Sequence, residues 1–241
     1  MSSIDILNDS KEDIKLHRFD RLQSRYLTTG DFSALQQMET EYPMETRVLI
    51  EKVLRIGMID DPDISQRILS YFQDSTLQAL VNDAENEFIN TEDINKQLQK
   101  VFSKLKKELP DIKIPRFYTQ IGALDESVVV GNDMIGISLD KYMGANYPLY
   151  KKHYSWEERT TMSRRYIVPD CVCFYLMSLY PLENFESRTQ QERDFHMGKM
   201  MWICNYLMEE HFFDLDILKD IETFQEIHHL SVPQLLVTSK E

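Results

Sequence analysis

From about residue 20 to residue 109 the apolar positions recur at helical spacing. Asp31 can cap a helix carrying Phe32, Leu35 and Met38, because its side-chain oxygen can take an N–H that the first turn leaves unpaired. Pro43 interrupts, and Val48, Ile50, Val53 and Leu54 belong to a second helix. Pro62 falls near the start of a third, which bears Ile64, Ile68, Leu69 and Phe72. Ser75 is the expected cap of a fourth, with Leu77, Leu80, Val81, Ala84 and Phe88 on one stripe. Thr91 caps a fifth, whose stripe is Ile94, Leu98, Val101, Phe102, Leu105 and Leu109. Glu92 and Asp93 suit its positive end, and Pro110 stops it.

The period then changes. Ile14-Lys-Leu-His-Arg-Phe19 alternates apolar and polar residues, as a short strand does. Arg116-Phe-Tyr-Thr-Gln-Ile121 is rich in β-forming residues, and two apolar runs flank Gly131-Asn132-Asp133. Such a link tolerates positive φ and predicts a hairpin. The strands of residues 113–139 predict a small antiparallel sheet that must pack against helices to persist.

Helical patterning resumes afterwards. Val168-Pro-Asp170 has the form of a helix start. The helix it opens, 169–180, is apolar nearly all round, which predicts a buried central helix. A long helix over 189–212 turns Met200, Ile203, Cys204 and Leu207 inward. Residues 214–241 give weaker signals and remain unassigned, and the polar residues 1–13 are expected to be disordered. With no repeat and no linker composition, residues 1–241 read as one α+β domain, predominantly α-helical with a small antiparallel β-sheet.

Charge narrows the partners. The formal net charge is −13, which repels phosphate backbones, so no nucleic-acid partner is expected. No apolar run approaches the ~18 residues of a membrane span, so no transmembrane segment is expected. Cys171, Cys173 and Cys204 exclude a dense disulfide framework. On a helix Cys171 and Cys173 point about 200° apart and cannot pair with each other.

No local catalytic signature stands out. None of His17, His153, His196, His211, His228 and His229 belongs to a His-Glu-x-x-His pattern, which would place two imidazoles and a carboxylate at one metal. Glu210-His211 and Glu226-Ile-His228-His229 are the nearest approaches. There is no nucleophile elbow, phosphate loop or dinucleotide fingerprint. No catalytic residue, metal ligand or cofactor is therefore assigned. A hydrolase whose catalytic residues meet only in the fold stays open as an alternative.

Arg164 and Arg165 precede the buried helix, and Asp140, Lys141 and Tyr142 follow the sheet. Two readings stand: an ion-pair and capping network where strand meets helix, or an exposed polar and aromatic rim around a groove.

These residues also carry a family resemblance. Ser138-Leu-Asp-Lys-Tyr-Met-Gly144, Tyr147-Pro-Leu-Tyr150 and Arg164-Arg-Tyr-Ile-Val-Pro-Asp170 resemble the gliding motility lipoprotein GldB family of Bacteroidota. His17-Arg-Phe-Asp20 and Met197-Gly-Lys199 fall where that family carries similar short patterns, so the likeness spans about residues 14–208. The resemblance implies a cell-envelope protein tied to gliding and secretion machinery, with a non-catalytic, protein-interaction or structural role and an unknown protein partner. It makes Asp140, Lys141, Tyr142, Tyr147, Tyr150, Arg164, Arg165 and Asp170 the candidate interaction rim. It also implies a distant likeness to zinc-metallopeptidase (zincin) scaffolds, with helix 169–180 in the place of the metal-binding helix. Those positions read Pro-Asp-Cys-Val-Cys-Phe-Tyr-Leu and hold no ligand pair. No lipobox cysteine is present. Periplasmic or outer-membrane placement, with membrane contact through a lipid anchor alone, thus requires that a signal has been removed; otherwise the expectation is cytoplasmic. The region after about 210 lacks the Tyr- and Trp-rich close the family would suggest.

Overall fold

The computed structural model describes residues 14–131 and 133–238. The expected disorder of residues 1–13, and Asn132 of the Gly131-Asn132-Asp133 link, lie outside the described residues. Strand β1, Leu16–His17, leads into α1, Phe19–Thr29. The carboxylate of Asp31 accepts the N–H of Ser33 at 2.8 Å and so starts α2, Phe32–Glu41. Pro43, expected only to interrupt, occupies the first turn of α3, Pro43–Val48. That is the one helical position where its missing N–H costs nothing. A π-helical turn, Leu49–Val53, extends it. Helices α4, Ile64–Tyr71, and α5, Ser75–Glu87, follow. The cap of α5 is Asp74, which accepts from Thr76 and Leu77, so Ser75 is the first helical residue rather than the cap. In α6, Glu92–Glu108, the expected stripe is buried throughout.

The sheet differs from the expected antiparallel arrangement. Strands β2, Arg116–Gln120, β3, Val128–Gly131, and β4, Met134–Ser138, join β1 in the order β1-β2-β4-β3. The β3–β4 hairpin is antiparallel as expected, but β4 lies beside β2 and runs parallel to it, as β1 does. The chain leaves β2, passes over one strand position, and returns through β4 to fill the gap. A mixed sheet is the consequence.

Both faces of this sheet are covered. Adjacent residues of a strand point to opposite sides. Phe117 meets Phe102 of α6 edge-on at 4.8 Å between ring centroids, whereas Tyr118 meets Phe19 of α1 at 6.0 Å. Every residue of β4 is buried, as expected for a strand with helices on both sides.

After β4 come α7, Tyr150–His153, α8, Trp156–Thr161, and α9, Ile167–Leu179. Helix α9 is the expected buried helix and packs on α6, β3, β4 and α10, although Phe174 and Leu179 reach solvent. Helix α10, Gln190–Met208, opens on a reciprocal Thr189–Glu192 capping box. The unassigned C-terminal region supplies α11, Asp216–His228, and α12, Val232–Val237.

Candidate functional site

Asp140 sits in the short helical turn directly after β4 and is fully buried. Its two oxygens accept the backbone N–H groups of Gly122 at 2.7 Å and Leu124 at 2.6 Å. Ala123 and Leu124 adopt φ of 53° and 66°, a region that side chains with a Cβ rarely occupy. The strained loop between β2 and β3 is thus held by one carboxylate, an oriented-amide nest closed from inside the protein. Burial raises the Asp140 pKa, and the two N–H bonds oppose that rise.

The other expected rim residues extend this network. Tyr150 is buried; its hydroxyl donates to the Asp140 carbonyl and accepts the Met143 N–H at 3.0 Å. Lys141 donates to the Leu124 carbonyl at 3.3 Å and to Tyr154 Oη at 3.1 Å. The buried Tyr142 donates to Asp170 at 2.7 Å, and burial pushes the partly sheltered Asp170 up to about 6. Tyr147 donates to Asp83 of α5 at 2.8 Å.

The two arginines act elsewhere. Arg164 forks onto Asp93 in the first turn of α6, at 2.8 Å and 2.5 Å, and lies over the Phe88 ring at 5.2 Å. Arg165 is exposed, pairs with Glu210 at 3.0 Å and covers Phe212. The structure therefore joins Asp140, Lys141, Tyr142, Tyr150 and Asp170 into a largely interior strand-to-helix network. Asp140, Tyr142 and Tyr150 lie below the surface that a partner would meet, while Lys141, Tyr147, Arg164 and Arg165 keep accessible area.

The remaining motif residues are structural in the same way. Arg18 clasps Asp20 at 2.8 Å and 2.7 Å, and the buried Asp20 accepts the Thr119 hydroxyl from β2. Gly198 lets α11 approach α10: a Cβ there would stand 2.6 Å from Ile221 Cδ1. Lys199, 3% exposed, donates to the carbonyls of Leu236 at 3.1 Å and Thr238 at 2.7 Å at the end of α12.

Position alone could not reveal the contrast between the two sheet edges. On β1, the N–H groups of Ile14 and Leu16 are taken at 2.8 Å by Gln99 and Asn95, one turn apart on α6. On β3, the bond from Ser138 N–H to the Ser127 carbonyl fixes the alternation of the ladder. Val129 and Gly131 then bond to β4, and Val128 and Val130 turn their backbone groups outward. A groove of ≈ 510 Å³, lined by Glu51, Lys52, Arg55, Glu126, Val128, Val129 and Val130, runs beside them.

The three cysteines are buried and free, and the Cys204 thiol lies 3.7 Å from the Pro169 carbonyl. Among the described residues no group of three or more His, Cys, Asp or Glu could hold a metal ion. No helix among them is long and apolar enough to cross a membrane.

These features define a mainly helical α+β protein whose characteristic motif residues brace a mixed sheet. The chain belongs to the family described as Gliding motility protein GldB, whose profile matches residues 2–216. The family is one of lipoproteins associated with gliding motility. No curated protein and no solved structure matches the chain, and the metallopeptidase-like reading finds no support in these comparisons.

Proposed function

We propose that this protein is a non-catalytic binding component of the cell envelope, serving gliding or secretion machinery, and that it takes an extended segment of a partner protein along the open edge of β3. The observation that carries this reading is the unequal treatment of the sheet edges. Helix α6 closes β1, whereas β3 leaves the outward groups of Val128 and Val130 beside a groove. An open strand edge is a template for one more strand, in which backbone hydrogen bonds supply affinity and the groove supplies selectivity. Lys141, Tyr147, Arg164 and Arg165, the accessible part of the expected rim, are candidate side-chain contacts. Membership in a family of lipoproteins supports the envelope location.

Val130→Pro isolates the edge. Its N–H points away from β4, so proline removes only the outward donor and spares the ladder. A photo-crosslinking residue at Val129 is expected to capture a partner in the native cell, and Val130→Pro is expected to abolish that capture without changing the melting temperature. Undiminished capture from the proline variant overturns strand addition. So does capture no stronger than from a control at Lys96 on α6. Peptide hydrolysis with turnover, with or without added zinc, overturns the non-catalytic part.

A further inference from the structure

A cavity of ≈ 500 Å³ opens where the C-terminal end of α10 meets α11. Its floor is aromatic. Trp202 and Tyr206 are one helical turn apart, and their rings stack with planes 3° apart and centroids 5.8 Å apart. The Tyr206 hydroxyl donates to Glu108 at 2.9 Å, which holds its ring in place.

The facing turn is equally fixed. Asn205 Oδ1 accepts the N–H groups of Phe212 and Phe213 at 3.0 Å and 3.1 Å, and its amide donates to the Phe213 carbonyl at 2.8 Å. This clamp sets Phe213, Asp214 and Leu215 against the cavity. The walls are thus built before any ligand arrives, which lowers the ordering cost of binding.

The charges at the rim are not equivalent. Glu209 is committed to Lys100 at 3.2 Å and to Lys104 at 2.5 Å, and Glu210 to Arg165 at 3.0 Å. Lys219 turns to Asp216 at 3.0 Å. Asp214 and Glu222 also line the cavity and make no ion pair or hydrogen bond among the described residues. An aromatic face carries a negative quadrupole that attracts cations. The carboxylates of Glu222 and Asp214 beside it reinforce the same preference, with Asp214 already partly balanced by the Lys219 ammonium, which also lines the cavity.

We propose that this cavity binds a cationic side chain, a lysine ammonium or an arginine guanidinium, presented by a protein partner. The head group lies over the Trp202–Tyr206 ledge with Asp214 and Glu222 as counter-charges, and the apolar stem packs on Phe213, Leu215 and Leu218. The site is separate from the β3 edge and shares no residue with it. Part of its wall, from Leu218 to Glu222, lies beyond residue 216, where the family match ends.

The probe is a short peptide of alternating lysine and glycine, at physiological ionic strength, with a glutamate–glycine peptide as control. Trp156→Phe leaves Trp202 as the single tryptophan, so its indole N–H resonance reports the ledge. Saturable binding of the lysine peptide is expected, with no response to the glutamate peptide. Tyr206→Ala is expected to weaken binding ~3- to 5-fold, the upper part of the range for one exposed cation–π contact. The pair Asp214→Asn with Glu222→Gln should weaken it comparably. The pair Glu183→Gln with Glu186→Gln, which removes the same charge elsewhere, should leave it within twofold. Tyr206 is half exposed, and an unchanged melting temperature verifies that its variant folds. Equal affinity of Tyr206→Ala and wild type overturns the proposal. So does an equal loss from the two charge pairs, which would mark general attraction to an acidic protein, or the absence of saturable binding.

Discussion

The carboxylate of Asp140 accepts the Gly122 N–H at 2.7 Å, and this contact decides where the chain goes after β2. With Gly122 and Leu124 held from below, the loop crosses one strand position instead of turning back as a hairpin. Asp140→Ala leaves two interior N–H groups without an acceptor. The expected loss is ~3 kcal/mol, since bonds to a charged group contribute more than neutral ones. Asp140→Asn keeps one acceptor and sets an amide donor against the other N–H, so it should recover only part. Chemical denaturation measures both, and amide exchange at Gly122 and Leu124 should accelerate. A loss below ~0.5 kcal/mol for Asp140→Ala would show that the loop stands without its carboxylate.

The Tyr142–Asp170 pair should make stability depend on pH in an unusual direction. Burial raises the Asp170 carboxyl to about 6, and the Tyr142 hydrogen bond opposes that rise. In the unfolded chain an aspartate titrates near ~3.9. Between these values the folded protein keeps a proton that the unfolded chain has lost, so this group lowers stability as pH rises from about 4 to about 6. Asp93, Glu158, Glu192 and Glu209 are shifted down and contribute the opposite slope at lower pH. The informative quantity is therefore a difference. Asp170→Asn should gain ~2–3 kcal/mol relative to wild type across that window, read by urea denaturation at pH 4, 5, 6 and 7. Parallel profiles for the two proteins would refute it.

Legibility in the sequence followed the range of the forces involved. The α6 stripe from Ile94 to Leu105 was readable because helix period and burial both repeat within the segment. The β3–β4 hairpin was readable for the same reason. The neighbour of β2 was not, because it rests on Asp140 reaching back to Gly122 and Leu124. Similarly, Asp140, Tyr142 and Tyr150 carry polar atoms and lack an apolar period, so their burial follows only from partners elsewhere in the fold. Of the two readings offered for the residues around the sheet exit, the interior strand-to-helix network describes these three. Trp202 and Tyr206 do leave a signal, an aromatic pair four residues apart on α10 and off its inward stripe. A small sheet implies an open edge, but that β3 supplies it, and which of its backbone groups face outward, left no signal, since both depend on the pairing with β4.

Arg164 and Asp93 offer a test of how much the accessible part of the motif contributes. The guanidinium meets both carboxylate oxygens and covers Phe88, so its removal forfeits packing as well as charge. Arg164→Ala should cost about 1–2 kcal/mol, more than a typical surface ion pair. Asp93→Asn should cost less, and the two should couple by about 0.5–1 kcal/mol in a double-mutant cycle. Additive losses would mean that Arg164 acts through Phe88 and the backbone carbonyls of Glu87 and Asn90 alone.

The centre of the sheet should be the least tolerant place for a small change. Gly136 of β4 pairs in register with Tyr118 of β2, and the tyrosine side chain lies across the glycine. A Cβ at Gly136 would stand 2.5 Å from both Tyr118 Cζ and Oη, well inside van der Waals contact. Tyr118 cannot move aside easily, because it is 1% exposed and its ring packs on Phe19. A methyl group here therefore overfills a closed core and forces the ring off its rotamer, at a cost of about 1–3 kcal/mol. Gly131→Ala is the matched control: it lies in the same hairpin, and nothing stands within 4 Å of its added Cβ. Thermal melts should show Gly136→Ala well below wild type and Gly131→Ala close to it. Tyr118→Phe removes one of the two clashing atoms, so the double variant Tyr118→Phe with Gly136→Ala should be more stable than additivity predicts. If Gly136→Ala melts with the wild type, the close approach of β2 and β4 side chains is wrong, and the register that turns Val128 and Val130 outward must be re-examined with it.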